Sequence, residues 1–178
     1  GGPVGDAGVT SNADMKSGPP AFGTPEYMQA QLVGGQLARR YKIPYRTSNT
    51  CAANTVDAQA AYESVFSLWG AIQGGGNLMM HGAGWLEGGL HAGYEKVILD
   101  AELLGMVEAL LDPVVVDEDT LAFSAVQEVG SGGNFFGAEH TQSRFRAAVP
   151  KPMIRDWRNA EPWGAGGLTS SPATANPI

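Results

Sequence analysis

The sequence predicts an α/β chain of parallel strand–helix units: a partial (β/α)8 TIM barrel holding only the C-terminal units of one. Three observations predict it. Short apolar runs alternate with amphipathic helical segments of about 15 to 20 residues, the pattern of parallel βα units. The apolar runs end in polar or glycine-rich loops, where parallel α/β folds collect functional groups. Strands are few: two complete units and a partial third are legible in 178 residues, whereas a closed barrel takes about 250. A free-standing doubly wound sheet of so few strands would be thin, so the barrel portion fits better.

Each element has its own signal. Residues 1–23 are rich in Gly, Pro and Ser and read as loop, with the tail of a strand near 9–13. Thr24 is an N-cap, Pro25 occupies the first helical position and Glu26 the first turn. Tyr27, Ala30, Gly34, Leu37, Ala38 and Tyr41 follow at helical spacing, and Arg39, Arg40 and Lys42 suit the C-terminal end of the dipole. Residues 43–47 form a short strand, and 54–57 open a second helix with Ala58, Ala61, Tyr62, Val65, Leu68, Trp69 and Ile72 on one face. Residues 74–76 break that helix and 77–81 form the next strand. A long helix over 92–111 carries Val97, Ile98, Ala101, Leu104 and Val107, and Asp112-Pro113 ends it. Asp117, Glu118 and Asp119 head a helix over 120–129, and after a glycine turn a shorter one covers 138–148. Residues 1–163 are thus expected to be the barrel portion, and 164–178 a flexible Gly/Pro/Ser-rich tail.

Composition excludes several classes. Hydrophobic residues make up 43%, enough for a core, and the net charge of −7 lacks the basic stripe of a nucleic-acid binder. No run of apolar residues is long enough for a transmembrane helix. The opening GGPVGDAGVT has neither a signal-peptide pattern nor an initiator Met, so a piece of a longer protein is expected. The single cysteine, Cys51, fits a reducing, cytoplasmic compartment.

The most informative stretch is GGGNLMMHGAGWLEGGLHAGYE, residues 74–95. An apolar strand ends in His81 and runs into a turn holding Gly82, Gly84, Gly88 and Gly89 around Trp85 and Glu87. An aromatic face and a carboxylate are what a cationic substrate needs, and glycines let a backbone approach a large flat ligand. The loop after the preceding strand, SNTCAAN, brings Cys51 and Asn54 to the same end of the sheet. Plainer alternatives stand beside this reading: an ordinary strand and glycine loop, a structural histidine, and a small cysteine in a crowded loop. Paired carboxylates among Glu63, Glu87 and Glu95 would instead suit glycoside hydrolysis. The spacing of His81, His91 and His140 matches no metal motif, and no metal is expected.

From Gly23 to Trp163 the chain resembles the trimethylamine methyltransferase family of corrinoid-dependent methyltransferases. The stretches that carry it are GTPEYMQAQLVGGQLARRYKIPYR, DAQAAYESVFSLWGAIQGGGNLMMHGAGWLEGGL, YEKVILDAELLGM, VDEDTLAFSAVQEVGSGGNFFGAEHT and DWRNAEPW. The resemblance implies the C-terminal part of a (β/α)8 barrel. It implies transfer of a methyl group from a methylamine to the Co(I) of a corrinoid (cobalamin) carried by a partner protein. For that chemistry Trp85 is expected to face the ammonium, Glu87 to supply charge and Gly82, Gly84, Gly88 and Gly89 to make room for the corrin ring. The strand-end placement makes His81, with Glu87, the catalytic candidates and Cys51 and Asn54 substrate-binding ones. Trimethylamine-specific members carry pyrrolysine near the positions of Thr50 and Cys51. The ordinary residues here point to the branch that favours quaternary amines such as glycine betaine, with trimethylamine the weaker substrate. A catalytically silent quaternary-amine binding module is the alternative, and the reading admits a homo-oligomer.

Overall fold

The computed structural model describes residues 5, 6, 12–148, 154, 157, 159 and 162. The chain forms two compact units, residues 1–104 with 154–178, and residues 105–153.

In the first unit β1 (Gly5–Asp6), β2 (Tyr45–Ser48) and β3 (Leu78–Met80) form a parallel sheet whose strand order equals chain order. The register sets Asp6 beside Arg46, and Ser48 beside Met80. The crossovers are α1 (Pro25–Tyr41) and α2 (Ala58–Gln73). The expected parallel βα alternation is therefore present, and the described residues form no closed barrel. Both helices start where their caps dictate. Thr24 Oγ1 accepts from the Tyr27 N–H at 3.3 Å, and Asp57 Oδ1 accepts from the Ala60 N–H at 3.1 Å. Lys42, in the left-handed region at φ 56°, closes α1.

The interior is unusually polar. Gln31, Thr47, Asn49, Lys96 and Asp100 are among the largest fully buried side chains. Gln31 Nε2 donates to Thr47 Oγ1 at 2.7 Å and to the Ser48 carbonyl at 3.0 Å, while the Tyr45 hydroxyl donates to the Gln31 carbonyl at 2.9 Å. These bonds fasten α1 to the last residues of β2. A small apolar cluster of Cys51, Ala53, Ala60 and Leu86 lies beyond that strand end.

Several expectations are corrected. The buried face of α2 is Ala60, Glu63, Ser64, Ser67, Leu68, Gly70 and Ala71, whereas Tyr62, Val65 and Trp69 are exposed. In α1, Leu37 and Tyr41 likewise point outward while Gln31 and Gly35 are buried. The reason is close approach. A Cβ on Gly35 would overlap the Gly74 carbonyl, and one on Gly70 would collide with the Gln31 side chain. Small residues therefore define the contact between the two helices. The long helix, α3 (Tyr94–Leu111), inverts the usual pattern, burying Lys96, Asp100 and Glu102 and exposing Val97 and Ile98.

The expected strand near 9–13 falls largely outside the described residues. Ala13 itself makes an isolated antiparallel bridge to Pro20, and β1 supplies the third parallel strand. The 82–89 segment is not simply a loop: β4 (Trp85–Leu86) pairs antiparallel with β5 (His91–Ala92). The tail at 164–178 lies outside the described residues.

In the second unit, the helix expected over 120–129 is broken at Ala122 (φ 52°) into α4 (Glu118–Leu121) and α5 (Phe123–Val129). Asp117 and Thr120 form a reciprocal capping box that starts α4. The helix expected over 138–148 is α6 (Glu139–Arg144), shorter than expected, whose Arg144 pairs with Asp119. Among the described residues no helix is long and apolar enough to cross a membrane.

Gly35→Ala is expected to destabilise the protein by about 1–3 kcal/mol through overpacking. Gly105→Ala, in α3 with open space around it, should stabilise it by about 0.5–1 kcal/mol. Urea titrations of the two variants check the contrast.

Candidate functional site

Two loops leave the C-terminal ends of β2 and β3 and are stitched together by hydrogen bonds. The Asn49 N–H donates to the Met80 carbonyl at 3.3 Å, and Asn49 Nδ2 donates to the Gly82 carbonyl at 3.0 Å. His81, directly after β3, has left-handed backbone (φ 52°), and its Nδ1 shares a hydrogen bond with Ser48 Oγ at 3.3 Å. That turn folds the imidazole onto the indole of Trp85, stacked at 4.5 Å between ring centroids and 21° between planes. Phe22 approaches Trp85 at 5.8 Å, and Tyr27 meets Phe22 edge-on at 5.5 Å. His81 and Trp85 are half-buried, so an aromatic cluster is presented at the strand ends. A left-handed non-glycine residue costs roughly 1–2 kcal/mol, and Glu87 (φ 49°) is a second one in this segment. Strain of this kind concentrates at functional sites.

The 51–53 loop is organised by Glu63. One carboxylate oxygen, Oε2, accepts from the Ala52 N–H at 2.8 Å, the Ala53 N–H at 2.9 Å and the Cys51 thiol at 3.3 Å. The other, Oε1, accepts from Gln59 Nε2 at 2.7 Å. The loop passes the order on: the Ala53 carbonyl accepts from the Glu87 N–H at 2.9 Å, and the Cys51 carbonyl from the Gly88 N–H at 3.0 Å. With both oxygens engaged and 5% exposed, Glu63 is not free for the paired-carboxylate chemistry that spacing alone left open. Cys51 is fully buried, and burial pushes its thiol up to about 12, against the opposing pull of the Lys96 ammonium. It is a hydrogen-bond donor here, not a thiolate nucleophile.

A second buried carboxylate serves the 82–85 segment. Asp100 Oδ2 accepts the Gly84 N–H at 2.8 Å, and both Asp100 oxygens face Lys96 Nζ at 2.5 and 2.6 Å. Lys96 Nζ also donates to Ser64 Oγ at 2.7 Å. Lys96 and Asp100 are both fully buried, so the pair is tolerated because each charge has its counter-charge and further hydrogen bonds.

The structure brings His81, Trp85, Glu87 and Cys51 into one connected arrangement. Asn54 stays exposed in the bend leading to Asp57. Glu87 is exposed, with Oε2 at 2.9 Å from His91 Nδ1. Of the four glycines, Gly84 and Gly89 are taken up by the protein's own packing, and Gly88 lies at ordinary contact distance from it. A Cβ on Gly84 (φ 89°) would meet Val97, one on Gly88 would touch Phe22, and one on Gly89 (φ 94°) would enter the Trp85 ring. A Cβ on Gly82 would meet only Leu104, at an ordinary contact distance of 4.0 Å. Asn49 Oδ1 and Thr50 Oγ1, both buried, have no hydrogen-bond partner among the described residues. No group of three or more His, Cys, Asp or Glu side chains among the described residues could hold a metal ion.

Sequence reasoning missed Phe22, Ser48, Asn49 and Asp100. The polar run RTSNT (46–50) at a strand end, and a Lys–Asp pair at i,i+4 on an apolar helix, were the signals available.

A profile of the family described as trimethylamine methyltransferase (MTTB) matches residues 1–178. The chain is 35% identical over 162 residues to the glycine betaine methyltransferase of Desulfitobacterium hafniense (strain Y51), covering 90% of this chain and 34% of that protein. It is 31% identical over 169 residues to the trimethylamine methyltransferase MttB2 of Methanosarcina mazei, covering 94% of this chain and 34% of that protein. It is also 31% identical over 160 residues to the trimethylamine methyltransferase MttB of Methanosarcina barkeri, covering 89% and 32% respectively. The chain thus spans about a third of the length of these curated relatives.

The raised Cys51 thiol gives a signed pH dependence. Unfolded, the thiol ionises near 9.0; folded, near 12. Its contribution to stability is whole below the unfolded value and is lost as pH rises toward the folded one, by up to ~1.4 kcal/mol per pH unit. Cys51→Ala should therefore flatten the fall in urea stability between pH 9 and 11. The native thiol should also resist iodoacetamide at pH 8 until the chain is unfolded.

Proposed function

Because the chain belongs to the trimethylamine methyltransferase family, we propose that it is the part of a methyltransferase that holds a quaternary or tertiary methylamine while its methyl group passes to a corrinoid on a partner protein. The observation that carries this reading is the His81–Trp85–Phe22 aromatic cluster, with the Glu87 carboxylate two residues on, at the C-terminal ends of parallel strands. An aromatic surface with a carboxylate in the same turn suits an ammonium ion better than an anion. The three parallel strands and their helices are read as consecutive units of a (β/α)8 barrel.

The chemistry asks little of the protein in acid–base terms. When a methyl group leaves a quaternary ammonium, the nitrogen departs as a neutral amine and needs no proton. The residues must instead bind the cation, orient its methyl carbon and exclude water. Trp85 and His81 supply the aromatic surface and Glu87 the negative charge. The partner's corrinoid supplies the nucleophile that accepts the methyl group. Of the glycines expected to make room for it, Gly82 is the one least crowded by the protein's own packing. A glycine betaine-like donor is favoured over trimethylamine. The resemblance puts pyrrolysine of trimethylamine-specific members near Thr50 or Cys51, and both are buried ordinary residues.

The test is methyl transfer by the full protein to a reduced corrinoid, followed by the corrinoid absorbance change. Glycine betaine-dependent transfer supports the proposal. Uptake of betaine without transfer would point to a quaternary-amine binding module, and neither uptake nor transfer would reject both. Trp85→Ala is expected to weaken betaine binding about tenfold by calorimetry, between the sizes of an exposed and a fully desolvated cation–π contact. An unchanged affinity would remove Trp85 from the site.

A further inference from the structure

We infer that Glu63 is a positioning residue for the cation site, a claim that rests on the methyl-transfer reading above. Glu63 lies on α2, nowhere in the aromatic cluster, and is buried. Its Oε2 gathers the N–H groups of Ala52 and Ala53 and the Cys51 thiol into one acceptor. The Ala52 N–H shares a peptide plane with the Cys51 carbonyl, which is thereby aimed at the Gly88 N–H. The Ala53 carbonyl, one peptide beyond the anchored Ala53 N–H, takes the Glu87 N–H. Glu87 keeps a left-handed backbone at φ 49°, a conformation that non-glycine residues hold only when their surroundings impose it. The relay from Glu63 through residues 51–53 is what imposes it here. Trp85 is on the strand immediately before this turn, and the turn folds Gly89 against the Trp85 ring. A buried carboxylate on a helix thereby sets where the aromatic face and the Glu87 charge stand. The Gly23 backbone also packs directly on Glu63, with no room for a Cβ, so the carboxylate is held from the Phe22 side as well.

The relay needs an acceptor at Oε2 rather than a negative charge as such. A glutamine can offer its amide oxygen to the same three donors, and Gln59 can turn its own amide to receive the new N–H. Glu63→Ala offers none. The experiment is hydrogen–deuterium exchange on the full protein for the wild type, Glu63→Ala and Glu63→Gln, with tetramethylammonium affinity measured by calorimetry on the same samples. In Glu63→Ala, the amides of Glu87 and Gly88 are expected to lose protection at least tenfold while α1 and α2 stay as in the wild type. Tetramethylammonium should bind at least tenfold more weakly. Glu63→Gln should restore both to within about threefold, as a neutral acceptor replaces a charged one. Protection of Glu87 and Gly88 within twofold of the wild type in the alanine variant would overturn the inference. So would a uniform loss through α1 and α2, or a glutamine variant no better than the alanine. A wild type that binds no quaternary ammonium would reject the functional reading instead, and the exchange pattern would still decide whether the relay exists.

Discussion

Backbone groups that leave a parallel sheet at its C-terminal end lose their strand partners, and burying them without acceptors costs about as much as losing a hydrogen bond each. Two carboxylates meet that demand here. Glu63 takes the N–H groups of Ala52 and Ala53, and Asp100 takes that of Gly84. Neither is on a loop; each projects from a helix packed behind it. Remove the acceptors and the loops have no reason to hold one conformation, because little apolar surface lies beneath them: the core cluster is Cys51, Ala53, Ala60 and Leu86.

This constraint explains why so much of the interior is polar. Lys96 is fully buried against Asp100, the acceptor for the Gly84 N–H, and Ser64 completes the ammonium's shell. Gln31 plays the corresponding role for β2, bridging Thr47 and the Ser48 carbonyl just below the point where Ser48 meets His81. A network satisfied in this way specifies one geometry more sharply than apolar packing does. The result is a rigid support under two strained residues, His81 and Glu87, that flank the Trp85 indole.

What could be read from the sequence followed local rules. The Thr24-Pro25 helix start, the Asp57 cap and the alternation of strands with helices all depend on neighbours along the chain, and all are present. The adjacency of His81 and Trp85 was legible for the same reason. The buried faces of α2 and α3 were not, because periodicity assigns large apolar residues inward. Here the close approach of Gly35 and Gly74 admits only small ones, and the Gly84 N–H calls a charged pair inward. The roles of Glu63 and Asp100 depend on partners 10 to 16 residues away in sequence, beyond the reach of any spacing rule. The break at Ala122 carries no Gly or Pro to announce it.

The central claim is that the aromatic cluster beyond β3 is a cation site. A crystal structure of the full protein soaked with tetramethylammonium, without its corrinoid partner, tests it most directly. The cation is expected within about 6 Å of the Trp85 or His81 ring centre, with the Glu87 carboxylate on the same side. Density for the cation elsewhere, with the His81–Trp85 stack fully closed and unvisited, would contradict the claim.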